Sequence, residues 1–163
     1  MDETANREKI NMEKLIATLK VALGNTFCMY FKSHSYHWNV EGMFFSQYHK
    51  FFQKIYEDTY GAVDPFAENL RKLDVYAPIS LEEIHSYKTI EEDKVKPENI
   101  SEMLVNLLHA NTEILHVLTE LFDDATREKQ QGLANFVADR MDKHKMWEWQ
   151  ILASLKQIKK PGE

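Results

Sequence analysis

Apolar side chains recur at three- and four-residue steps through long stretches of this chain, and almost nothing interrupts them. Met12, Leu15, Ile16, Leu19, Leu23, Phe27, Tyr30 and His34 follow that rhythm. It is the period of one face of an α-helix, so residues 10–37 are predicted as a first long helix. Gly42 breaks the pattern. Residues 45–73 resume it through Phe52, Tyr56, Val63, Phe66, Ala67 and Leu70. Pro65 lies inside this second stretch, where it removes one backbone hydrogen bond and is expected to kink the helix. Its ring would press on the carbonyl of Gly61, a position with conformational freedom to spare.

Pro78 and Pro97 bracket a connector rich in Glu, Lys and Ser. So long a segment without structure would be unusual in a compact domain, and a short helix is expected over 81–87. A third long helix is predicted over 97–124, a polar turn over 127–132, and a fourth long helix over 133–158. With only 5 glycines and 4 prolines in 163 residues, the chain lacks the tight turns that a β-sandwich or barrel requires. The fold expected is all-α: a four-helix bundle, with a long crossover carrying a short helix between helices 2 and 3. One domain should span residues 1–163, with short tails at about 1–9 and 159–163.

The charged N-terminus and the lack of any run near 18 apolar residues predict a cytoplasmic protein with no membrane contact. A single cysteine, Cys28, excludes an intrachain disulfide and suits a reducing compartment. The formal net charge is −6, so nucleic-acid binding would need a local basic patch.

Several residues are of metal-ligating type. His37 lies five residues before Gly42 and His49 seven after it, so the two can face each other across a helical hairpin. Gln53 follows His49 by four, and Asp64 and Glu68 form another four-residue pair. Fifteen residues separate His49 from Asp64, about 22 Å along a helix but only about 60° around it. One chain cannot bring the two pairs to a single ion. Two copies of the second helix packed antiparallel about a two-fold axis can, and would make two equivalent sites. Imidazole with carboxylate suits iron, manganese or zinc. Each residue also has a plainer role: a helix-end histidine is often a cap, Asp64 before Pro65 fits the N-cap of a restarted helix, and Glu68 fits an exposed charge.

His37-Trp38-Asn39-Val40-Glu41-Gly42, then Phe45, His49, Phe52, Tyr56, Asp64, Ala67, Glu68 and Arg71, resemble the Dps group, the ferritin-like miniferritins named DNA-binding proteins from starved cells. Asp142-Lys143-His144 with Trp147 is a weaker match. The resemblance implies a ferritin-like bundle and a hollow homo-oligomer, a dodecamer. It also implies a ferroxidase centre at the two-fold interface that oxidises Fe(II) with hydrogen peroxide, and ferric mineral in the cavity. By matching positions, His37 and His49 of one subunit oppose Asp64 and Glu68 of another, with Gln53 where the family usually has aspartate. A neutral glutamine oxygen would bind hard ferric iron less well, and Glu57, one turn on, is placed to compensate. Alternatively Gln53 only orients a histidine. Zinc or manganese could take the same site.

Further expectations follow from the resemblance. Asp123, Asp124 and Glu128 would line an acidic three-fold pore, or else form a solvated helix end. Trp38 and Tyr30 could quench radicals, though ordinary core packing is the reading favoured for both; His34 is more simply not a ligand than an extra one. DNA binding is not expected. Arg7 and Lys9 are offset by Asp2, Glu3 and Glu8, and Lys156, Lys159 and Lys160 are the one basic cluster. Two rivals remain. Glu82-x-x-His85 and Glu113-x-x-His116 have the form of a single-bundle di-iron motif. The chain could also be a non-catalytic shell, or a DNA-compacting particle, whose metal site is weakened at Gln53.

Overall fold

In the computed structural model, which describes residues 3–156, the elements run α1 (Glu3–Asn39), α2 (Phe45–Lys72), α3 (Leu81–Ser86), α4 (Ile100–Arg127) and α5 (Gln131–Leu155). No strand occurs among the described residues. α1 packs against α2, α3 and α4, and α4 packs against α5. Leu15, Leu19, Leu23 and Met29 of α1 meet Phe52, Ile55 and Phe66 of α2 in one core with Leu107, Leu118 and Leu121 of α4 and Val137 and Ile151 of α5. The four-helix bundle with its long crossover and short inserted helix is as the periodicity predicts.

The ends of the elements differ from expectation in instructive ways. α1 begins at Glu3, so most of the expected N-terminal tail is helix; the tail at 159–163, with Lys159 and Lys160, lies outside the described residues. Residues 3–10 of α1 are exposed, so they carry no apolar stripe for periodicity to detect. α4 starts not at Pro97 but after Asn99, whose side chain accepts the Glu102 amide at 2.9 Å. That is an N-cap with a glutamate three residues on, a signal present in the sequence. Between α4 and α5 the chain turns in three residues, because Lys129 takes φ +56° and lets the Gln130 amide reach the Ala125 carbonyl at 2.8 Å. α2 runs unbroken through Pro65, so Asp64 is not the cap of a restarted helix.

The crossover is fastened to the bundle by polar side chains. Asn25 accepts the Thr89 and Ile90 amides at 2.7 and 3.2 Å. Asp93 accepts from the buried Lys32 at 3.0 Å, from the Tyr36 hydroxyl, and from Asn106 at 3.2 Å. Cys28 is buried beside this crossover, and burial pushes its thiol up to about 11, which leaves it unreactive. No helix among the described residues is long and apolar enough to cross a membrane.

Candidate metal centre

Gly42, at φ +105°, reverses the chain and lays α2 antiparallel to α1. This brings His37 and His49 face to face, with ring centroids 3.6 Å apart and planes 21° apart. Each Nδ1 lies 2.7 Å from the other residue's backbone carbonyl. A carbonyl oxygen only accepts, so each Nδ1 must carry its hydrogen and donate it. In the neutral rings this leaves both Nε2 lone pairs free. Metal-ligating histidines are characteristically held this way, with one ring nitrogen tied to a carbonyl so that the other is a fixed, more basic donor.

The pair sits within a continuous run of rings on the outer face of α1 and α2. His49 stacks on Phe45 at 4.9 Å, and His37 meets Tyr56 edge-on at 5.2 Å. His34 stacks on Tyr56 at 3.9 Å and lies 4.2 Å from Trp38. Tyr30 bridges His34 to Tyr60. Burial, then the neighbouring His37, holds the His34 imidazole below its ordinary value, so it favours the neutral form. Trp38 is 57% exposed and Tyr30 half-buried, so neither is the ordinary core aromatic that was expected.

Gln53 is half-buried one turn after His49, and its Nε2 donates to Glu57 Oε1 at 2.7 Å. Asp64 and Glu68 are exposed, and neither carboxylate takes a hydrogen bond or ion pair from the described residues. Because α2 is continuous, Asp64 stays about 22 Å and Glu68 about 28 Å along the axis from His49. Accordingly, no group of three or more His, Cys, Asp or Glu placed to hold a metal occurs within one chain among the described residues. The fold unites the imidazoles and leaves the carboxylates apart, on the same helix and near the same azimuth. Imidazole nitrogen, amide oxygen and carboxylate are each donor types that suit a divalent first-row cation.

The Glu-x-x-His segments do not form a site. His85 pairs with Glu92 at 3.5 Å on the crossover, and His116 points outward to Glu120. The bundle interior holds a different polar cluster, which sequence reading did not identify. Arg140 of α5 makes two bonds to Asp58 of α2, at 2.8 and 2.9 Å. Trp147 Nε1 donates to Asp58 at 2.8 Å. His144 is fully buried, accepts from Arg140 at Nε2 and donates from Nδ1 to Asn111. Burial, reinforced by the Arg140 charge, pulls His144 down to about 3, so it stays neutral. Although burial pushes the Asp58 carboxyl up, the Arg140 guanidinium holds it below its ordinary value. His144 and Trp147 stand in the weaker motif match of the last helix, but nothing in the sequence joined them to Asp58 or Arg140.

Of the acidic helix end, Asp123 is exposed and Glu128 half-buried, and Asp124 alone departs from the expectation. Asp124 is buried, accepts from Thr18 at 3.1 Å and is paired with Lys14 and Arg127. It is a structural anchor between α1 and α4 and is not available to line a pore.

A ferritin-like family model, described as a ferritin-like domain, matches residues 16–160. The chain belongs to the ferritin-like family. Within it, the expected kinship with the Dps group holds. A DNA protection during starvation protein from Brevibacillus brevis is 25% identical over 144 residues, covering 83% of this chain and 93% of its own. The Dps of Thermosynechococcus elongatus superposes with a TM-score of 0.90 at 18% identity, over 96% of this chain and 99% of that one. A Dps protein from Vibrio cholerae, described as a member of a broad superfamily of ferritin-like diiron-carboxylate proteins, gives 0.84 at 23% identity over 90% and 92%. At such identities the two structures speak to the fold.

Proposed function

We propose that this protein is a ferroxidase and an iron-storage and detoxification miniferritin. Its substrate is Fe(II), and the oxidant is hydrogen peroxide. Each of two Fe(II) ions gives up one electron. The peroxide O–O bond breaks and, with two protons, yields two waters, so no hydroxyl radical escapes. The catalytic centre lies between subunits: His37, His49 and Gln53 of one copy meet Asp64 and Glu68 of a second about a two-fold axis. Twelve copies close a shell that holds the ferric mineral in the cytoplasm. Zinc or manganese competes for the same donors. DNA binding is weak, because the subunit carries a formal charge of −6 and phosphate contacts demand cations.

The observation that supports this reading best is the reciprocal Nδ1-to-carbonyl lock of His37 and His49, which leaves two oriented Nε2 donors with carboxylates on the same helix still unpartnered. The residues then have simple duties. The imidazoles bind Fe(II) in its reduced state, and the carboxylates offset the charge that oxidation adds.

The test is anaerobic loading with Fe(II), then peroxide, with ferric absorbance and soluble iron followed together. Fast peroxide consumption, with iron retained in shell-sized particles, is expected. Oxidation no faster than in buffer, with precipitation, would instead support the non-catalytic shell weakened at Gln53. His49→Ala should slow oxidation by at least about tenfold.

A further inference from the structure

The side chain of Gln53 is held in one orientation, and its neighbour decides which. We propose that Glu57 is a positioning residue of the candidate centre, fixing the Gln53 amide so that the carbonyl Oε1 is the atom left to meet a divalent cation. The proposal rests on the metal-centre reading above.

Gln53 Nε2 donates to Glu57 Oε1 at 2.7 Å. A carboxylate can only accept, whereas a primary amide carries donors on one side of its plane and an acceptor on the other. Glu57 therefore claims the amino side, and Oε1 points away from that bond. Gln53 and His49 are one turn apart on α2, so Oε1 and the His49 ring share a helix face. Without Glu57 the amide is free to turn, and half of its orientations present N–H groups, which a cation repels.

The arrangement also sets the charge of the donor set. Glu57 is engaged by the amide and supplies its negative charge one turn further from the histidines. Asp64 and Glu68 then bring two negative charges, where an aspartate at position 53 would make three. A set with two neutral imidazoles, a neutral carbonyl oxygen and two carboxylates favours M(II) over M(III). The site should accordingly hold Fe(II), Co(II) or Zn(II) and release Fe(III) readily.

The experiment is anaerobic calorimetric titration with Co(II) alone, on the full chain. Glu57 is exposed, so its variants keep the fold, checked by circular dichroism. Glu57→Ala should weaken Co(II) binding about tenfold. Glu57→Gln should retain most of the affinity, because its own carbonyl still accepts the Gln53 amide. In a Gln53→Ala background, Glu57→Ala should add nothing. Equal losses for Glu57→Ala and Glu57→Gln, an equal loss without Gln53, or no loss at all would overturn the positioning role. His49→Ala reports separately on the underlying reading: it should abolish the binding, and Co(II) affinity unchanged by it would remove the centre and the positioning role together.

Discussion

Gly24 lies where the crossover passes over α1. A Cβ there would stand 2.8 Å from both the Lys88 amide nitrogen and the Tyr87 Cβ, and 2.9 Å from the Tyr87 carbonyl carbon. Backbone cannot yield as a flexible side chain can. Gly24→Ala should therefore destabilise the fold by about 1–3 kcal/mol, an overpacking cost. At roughly 2–4 °C per kcal/mol for a chain of this size, the loss is readable as a lower Tm. An unchanged Tm would mean the crossover can lift away. Nothing in the sequence marks this glycine, since the segment it touches is more than sixty residues away. His37 and His49 are the opposite case. Their spacing about Gly42 foretold that they would meet, because the turn between them is local. The mutual Nδ1 bonds to backbone carbonyls were beyond reach, since they depend on the exact offset of the two helices.

α2 carries two kinds of chemistry on two faces. Outward it offers His49, Gln53, Asp64 and Glu68. Inward it offers Asp58, which Arg140 and Trp147 of α5 engage. The inner cluster gives a pH prediction. His144 titrates at about 3 when folded, against an ordinary value of about 6.5 unfolded. Its neutral form is the one the folded state favours. The stabilisation is complete above pH 6.5 and declines as pH falls from there towards 3, because the unfolded chain takes up a proton that the folded chain refuses. Urea denaturation should show a loss of roughly 2 kcal/mol between pH 7 and pH 5 from this residue. His144→Gln should flatten that dependence. A wild type with equal slope to the variant would contradict it. Asp58, held low by Arg140, acts in the same direction at lower pH, where its carboxylate becomes protonated.

At the scale of the whole molecule, the outer face of α1 and α2 presents a run of exposed aromatic rings. Phe31 is 50% exposed, Trp38 57%, Phe45 42% and Tyr60 62%, and ring contacts connect this face through to His37 and His49. An exposed patch of this kind marks an interaction surface. The two-fold pairing proposed above would cover it and complete the metal centre in one event. Phe31→Glu combined with Tyr60→Glu should therefore reduce the particle mass by light scattering while leaving helicity intact, since a buried unpaired charge is costly. Iron oxidation should fall in parallel, because the half-sites separate. A full-size particle that retained its oxidation rate would place the interface elsewhere.

Helix count, the crossover with its inserted helix, and the imidazole pair were legible in the sequence. Each rests on local rules: the period of a helix, the turn at Gly42, the length of a connector between prolines. The separation of Asp64 from His49 was legible too, because a continuous helix fixes it; the two-fold pairing inferred from that separation belongs to the proposal. Tertiary structure alone decided the rest. It buried Asp124 against Lys14 and Thr18, where sequence offered a pore; it exposed Trp38, where sequence offered a core aromatic; it filled the bundle interior with Asp58, Arg140 and His144. These outcomes depend on which faces of distant helices meet. A residue's type and spacing give its face on its own helix, and only packing determines what stands opposite.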